Sequence, residues 1–268
     1  MPLERRNSWR LPAVYCRPAV TLGRAVSTEG AMHDVRVCYL DEREQLVSAA
    51  PAALVGVAVE ERRPPSEPVA FHGRPGKLSD CWCATTNGHV VCGSLRRRRV
   101  ALELDFDPEI TWIGGEPVKL HWQGGQGRRR WRPDFVTRTV TGARQVVLVE
   151  PEKGGPQWRE DLEVAHQVAM AAGWQVSVQR VPEGVRLANL EWAADYRQAV
   201  PVAAAEREAV EDAFRRERPI GEGARASGVP YAVALDLVYR LVWQRRLDIR
   251  WDRPLMPRAT AWLADGAA

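Results

Sequence analysis

The stretch that most constrains this chain is Leu102–Lys153, LELDFDPEITWIGGEPVKLHWQGGQGRRRWRPDFVTRTVTGARQVVLVEPEK. Its pattern alternates between helical and extended periods over short distances. Ser94–Leu104 predicts a helix, and Asp105-Phe106-Asp107-Pro108 ends it, because proline disfavours helix for the residue before it. Glu109–Ile113 and Pro117–Trp122 read as strands around a Gly114-Gly115 turn, and Gly124-Gly125-Gln126-Gly127 supplies the next turn. Trp131–Thr139 and Arg144–Glu150 read as a hairpin around Thr141-Gly142. Leu162–Ala172 is an amphipathic helix that Gly173 closes as a C-cap, and Trp174–Val178 is a last strand. Elements in this order need a mixed sheet flanked by helices, which places the chain in the α/β class.

The flanks divide the rest. Residues 1–31 are Arg-rich and patternless and precede Met32. They are expected to be a disordered basic extension or a stretch upstream of the true start. In residues 32–79, Val35–Tyr39 alternates like a strand and Asp41–Glu44 looks like its turn. Gln45–Ala53 is helix-like, Leu54–Val59 is apolar, and Glu61–Gly76 is a Pro- and Gly-bearing loop. The central domain is expected over 80–199, with Val185–Arg197 as a helix and Val200-Pro201 as its boundary. In residues 200–268, Ala203–Glu217, Gly221–Ser227 and Tyr231–Arg246 read as helices, with a tight Gly228-Val229-Pro230 turn before the third. Leu247–Trp251 and Arg258–Trp262 follow as extended segments. That order describes a winged-helix-like domain. Its third helix is the candidate DNA reader, offering Tyr239, Arg240, Gln244 and Arg245 away from its apolar stripe.

Composition narrows the function classes. The chain has 268 residues, 45% hydrophobic and 27% charged, with a net charge of +4, as ordinary globular proteins have. No apolar run approaches the roughly 18 residues of a membrane span, and the N-terminus lacks the apolar core of a secretory signal. A cytoplasmic protein without a membrane partner is therefore expected. The lysines are Lys77, Lys119 and Lys153, so arginine carries almost all the positive charge. Two arginine clusters stand out, Arg96-Arg97-Arg98-Arg99 and Arg128-Arg129-Arg130 with Arg132. Guanidinium forks suit phosphate oxygens, so these are candidate DNA-binding residues, alongside Arg240 and Arg245. A solvated basic face is the alternative. Five cysteines argue against a disulfide framework. Cys81, Cys83, His89 and Cys92 could ligate zinc, although their spacing fits the usual knuckle poorly.

The ordered segments GHVVCGSL, LELDFDPEI, EPVKLHW, GRRRWRPDF and VVLVEP, with ANLEWAADYR and the closing helical pattern, resemble TnsA-type endonuclease subunits of heteromeric transposases. The resemblance runs from about Val35 to Trp262. It implies a restriction-endonuclease-like fold of the PD-(D/E)XK kind with a C-terminal winged domain. It also implies a Mg²⁺- or Mn²⁺-dependent nuclease acting at the 5′ ends of a mobile element, with a transposase subunit and an AAA+ ATPase as partners. The family's first catalytic acid sits on the helix before LDFDP, where this chain has Gly93 and Arg97. Glu103, the nearest acid on that helix, lies about 240° of rotation from Arg97. Pro133-Asp134 matches the family's Pro-Asp pair. On the next strand, a gapless register gives Leu148 and Glu150. A hairpin two residues longer gives Glu150 and Glu152, one residue apart and therefore on one side of a strand. Candidate catalytic residues are thus Asp134, Glu150, Glu152 and Lys153, with Asp134, Glu150 and Glu152 as metal ligands. The alternative is a catalytically degenerate subunit that binds DNA and recruits the transposase or the ATPase.

Overall fold

The computed structural model describes residues 34–65, 80–125 and 127–265. The basic extension expected over 1–31 lies outside them. The elements are β1 (Arg36–Leu40), β2 (Leu46–Ala49), β3 (Asp80–Cys83), β4 (Gly88–Val91), α1 (Leu95–Phe106), β5 (Ile110–Gly115), β6 (Lys119–Gly124), β7 (Gly127–Trp131), β8 (Phe135–Thr139), β9 (Arg144–Val149), α2 (Pro156–Ala172), β10 (Gln175–Gln179), α3 (Gly184–Ala194), α4 (Ala204–Ala213), β11 (Arg218–Pro219), α5 (Ile220–Ala226), α6 (Tyr231–Trp243), β12 (Leu247–Ile249) and β13 (Thr260–Leu263). The chain is mixed α/β. No helix among the described residues is long and apolar enough to cross a membrane.

The central sheet has the order β10-β9-β8-β5. Strands β5, β8 and β9 pair antiparallel, with β6 and β7 of the second sheet intervening between β5 and β8, and β10 lies parallel to β9 after crossing over through α2. Side chains alternate along β8 and β9. Phe135 and Val147 enter one core with α1, α3 and the C-terminal helices. Val136, Val146 and Leu148 enter a second core with α2 and the inner face of another sheet. That apolar VVLV run is what a strand buried on both faces requires. Helix α2 ends as predicted at Gly173, whose φ of +70° allows the left-handed cap.

The second sheet, β2-β1-β6-β7, is antiparallel. It corrects the sequence reading in two places. Gln45–Ala53 is not a helix: Leu46–Ala49 pairs with β1, and only Pro51–Leu54 coils, as a short 3-10 turn. Gly114-Gly115 is not a hairpin turn either. Both glycines lie within β5, which pairs with β8, while β6 pairs with β1 and β7. A Cβ at Gly114 would strike the Glu60 backbone, and one at Gly115 the Val91 carbonyl. Close backbone approach is the reason for glycine there.

After α3, three helices and a small sheet of order β11-β13-β12 complete the chain. Val238, Leu241 and Val242 of α6 share one apolar core with Val100, Leu104 and Phe106 of α1. The Phe106 ring lies 5.2 Å from Trp243 and 4.8 Å from Trp251. Buried Asn189 of α3 accepts a hydrogen bond from Leu255 N (2.8 Å) and donates to the Arg253 carbonyl (2.8 Å).

Candidate functional site

Helix α1 starts at Ser94, whose hydroxyl accepts the Arg97 N–H at 3.3 Å. This cap turns Arg97, one turn into the helix, towards the ends of β5 and β8. Its guanidinium ion-pairs with Asp134 and, through Nη1, donates to Glu116 Oε1 at 2.7 Å. The second Glu116 oxygen accepts from Arg132 Nη1 at 3.0 Å. The second Asp134 oxygen accepts the Val149 N–H at 2.6 Å. Both carboxylates are deeply buried, and all four of their oxygens hold a donor. Two guanidinium groups thus balance two carboxylates in one closed set.

Sequence reasoning missed Glu116. It follows two glycines, precedes a proline, and carries none of the alternation that marks a strand face. The structure holds it in the left-handed region, at φ +48°, a conformation that costs a non-glycine residue roughly 1–2 kcal/mol. Its N–H donates to the Asp134 carbonyl at 3.0 Å. The two acids are therefore brought together by the backbone as well as by Arg97. Gly93 belongs to the same arrangement. It lies at φ +65°, and a Cβ there would sit 2.6 Å from Glu116 Oε1 and 2.9 Å from Arg97 Nη1. A side chain at position 93 could enter only by displacing the ion pair.

Burial pushes the Asp134 carboxyl above its ordinary range, against the pull of Arg97 and of the Val149 N–H. Taking a carboxylate out of water disfavours its charged form. Arg97, opposite it, is the compensating charge.

The other predicted site residues lie elsewhere. Continuing the β8–β9 register puts Leu148 across from Asp134, but the Leu148 side chain is fully buried in the second core. Glu150 extends the pairing with β10 through its N–H to the Gln179 carbonyl, and its carboxylate accepts from Arg180 at 2.7 Å. Glu152 is 74% exposed and pairs with Arg96 at 2.8 Å. Arg96 also donates to the Glu150 carbonyl at 2.9 Å. Lys153 is exposed. Arg96, Glu150, Glu152, Arg180 and Glu183 line a cavity of about 460 Å³. Asp134 and the Glu150–Glu152 pair thus serve separate guanidinium partners.

These donors do not suit a divalent cation. An Mg²⁺ ion needs carboxylate oxygens free to ligate it, and each oxygen of Asp134 and Glu116 already accepts a hydrogen bond or an ion pair. Among the described residues no group of three or more His, Cys, Asp or Glu side chains is placed to hold a metal. His89 does not join the three cysteines, whose thiols meet around Cys81. Pairing of β3 with β4 sets Trp82 opposite His89, so exposed His89 lies on the other face of the hairpin from buried Cys81 and Cys83. The thiols of Cys83 and Cys92 are pushed up, first by hydrogen bonding to Cys81 and then by burial.

Most of the predicted DNA-binding arginines also have protein partners. Arg99 approaches Glu191, and Arg129 bonds Asp161 at 3.1 Å while covering the Trp122 ring. Arg240 pairs with Asp236 and donates to the Gln198 carbonyl. Arg245 lies over the Phe106 ring at 4.3 Å and donates to the Phe106 carbonyl. Tyr239 is buried against Tyr196. Of the residues in and just after α6 expected to read DNA, Tyr239, Arg240 and Arg245 contact the rest of the chain, and Gln244 is exposed. Arg128 and Arg130 remain exposed, and Arg98 is half-buried. A comparison with protein-family models and with curated proteins returns no match, which leaves the geometry of these residues as the guide to their chemistry.

Proposed function

We propose that this chain is a catalytically degenerate, TnsA-like subunit that binds DNA and positions a transposase subunit and an AAA+ ATPase without cutting DNA itself. One observation carries the reading: Arg97 stands between Asp134 and Glu116, where a nuclease of the resembled kind would need carboxylates open to a metal ion. The chain order supports the resemblance. A helix, the antiparallel strands β5, β8 and β9 with β6 and β7 inserted between the first two, a crossover helix and a parallel strand are the parts of a restriction-endonuclease-like core. Three helices with a three-stranded sheet are those of a winged helix.

In this reading Arg97 supplies the positive charge that such a site otherwise takes from its metal, and the closed set holds α1 on the sheet. Hydrolysis of a phosphodiester needs a group to activate water and a cation to meet the charge developing on the phosphate. With every oxygen of Asp134 and Glu116 occupied, neither carboxylate is available to accept a proton from water. Glu150 and Glu152 stand apart with their own arginines.

The test is incubation of the purified chain with supercoiled plasmid and Mg²⁺ or Mn²⁺, beside a gel-shift assay on the same DNA. The expected result is a shifted band with no nicking or linearisation. Metal-dependent cutting that Asp134→Ala abolishes would overturn the proposal.

A further inference from the structure

The outer face of the β2-β1-β6-β7 sheet has a composition that the sequence clusters do not reveal. Residues paired across a sheet share a face, and neighbours in a strand point to opposite faces. Val37, Leu120 and Trp131 form one row and point into the second core. The adjacent row is Arg36, His121 and Arg130, and it points outward. Lys119 and Arg128 fall on the same outer face, Arg128 opposite Gln123. Arg129 faces inward, where it reaches Asp161. The arginine cluster read from the sequence is therefore split between two faces. Its outward half joins Lys119 of the neighbouring strand β6 and Arg36, from a segment far away in the chain.

No strand of this sheet puts a carboxylate on that face. Strands lie about 4.8 Å apart and rise about 3.4 Å per residue, so the cations cover an area roughly 10 Å by 13 Å. Arg36, Arg128 and Arg130 are exposed, and Lys119 and His121 are half-buried. Arg36 is held across the face by its bond to the Ser48 carbonyl at 2.8 Å. Burial, then Lys119 and Arg130, lower the basicity of His121. This ring therefore stays neutral at pH 7, and its buried Nε2 has no partner among the described residues.

We infer that this sheet face, open among the described residues, binds the phosphate backbone of duplex DNA through Arg36, Lys119, Arg128 and Arg130. The inference rests on the DNA-binding reading above and supplies the surface for it. Arginine forks on a rigid sheet match phosphate oxygens. The strands place no phenylalanine, tyrosine or tryptophan on this face, so it lacks the stacking platform that single strands use. It reads backbone charge and not sequence.

The experiment is fluorescence anisotropy of a labelled random duplex of about 30 base pairs, titrated with the full chain across a range of salt concentrations. The wild type is compared with Lys119→Gln/Arg130→Gln and with Arg207→Gln, a control at an exposed position on α4. The double variant is expected to bind roughly tenfold more weakly at about 100 mM salt. Its plot of log affinity against log salt should be shallower by about 2. Arg207→Gln should match the wild type, and Arg130→Lys should keep the wild-type slope. If the double variant does not fold, Lys119→Gln alone carries the comparison, with a slope shallower by about 1. Wild-type binding with unchanged affinity and slope in the variants would place the DNA site elsewhere and overturn this inference alone. A wild type that fails to bind duplex would overturn the DNA-binding reading as well, and binding of polyglutamate in its place would assign the face to an acidic protein partner.

Discussion

At the scale of single residues, Arg97 is the most consequential side chain in the described structure. It is 28% exposed and faces two carboxylates that are almost fully buried. Removing one partner of a buried ion pair is costly because the other charge stays buried without compensation. Arg97→Met is therefore expected to destabilise the fold by about 3 kcal/mol, read from urea denaturation. Asp134→Asn keeps an oxygen for the Val149 N–H and leaves Arg97 with Glu116, so about 1 kcal/mol is expected. If Asp134→Asn proved the more damaging, Arg97 would not be the centre of the set. His121 gives a second residue-scale prediction. Its folded pKa lies below its ordinary value, so as pH falls below about 6.5 the unfolded chain takes up a proton that the folded chain refuses. The stability His121 contributes is complete above that pH and is lost as pH falls towards the folded value. Against the wild type, His121→Gln should remove that part of the decline below about pH 6.5, measured by thermal melts across the acidic range.

At the scale of elements, β5 owes its position to two glycines. Their lack of side chains lets the 59–61 turn and β4 lie directly on the strand. Gly115→Ala forces a methyl group into the Val91 carbonyl and should cost about 3 kcal/mol, as overpacking against backbone does. Gly125→Ala, in the β6–β7 turn with open space around it, should stay within about 0.5 kcal/mol of the wild type. Equal effects at the two positions would mean that β5 does not pack as described. Displacement of β5 would also move the Glu116 backbone, so Gly115→Ala should weaken the Arg97 set in the same denaturation experiment.

At the scale of the whole molecule, the C-terminal helices are fastened to α1 and α3, not tethered beside them. Phe106 sits between Trp243 and Trp251, Asn189 holds the 251–255 loop, and Arg245 caps Phe106. A shared apolar core of this kind predicts one cooperative unfolding transition. Phe106→Ala should lower stability by about 4 kcal/mol and shift that single transition when followed by both tryptophan fluorescence and far-UV circular dichroism. Two separate transitions, with only the later one moved, would show that the C-terminal part folds independently.

The local pattern of the chain determined most of its elements. Helix α1 stops before Pro108, α2 stops at Gly173, and the β8–β9 hairpin turns at Thr141-Gly142, because proline and glycine act on the backbone within one or two residues. The pairing of strands lay beyond that range. A strand's partners depend on which residues are distant in sequence and near in space, so the Gly114-Gly115 segment read as a turn when it is a crowded strand. The same limit governed the candidate site. The sequence exposed Asp134, and the absence of acids at positions 93 and 97, but Glu116 came to Asp134 only through the tertiary contact of β5 with β8. The arginine run 128–132 looked like one basic cluster. Strand alternation sent Arg129 inward and Arg128 and Arg130 outward, and sheet assembly brought Arg36 and Lys119 beside them.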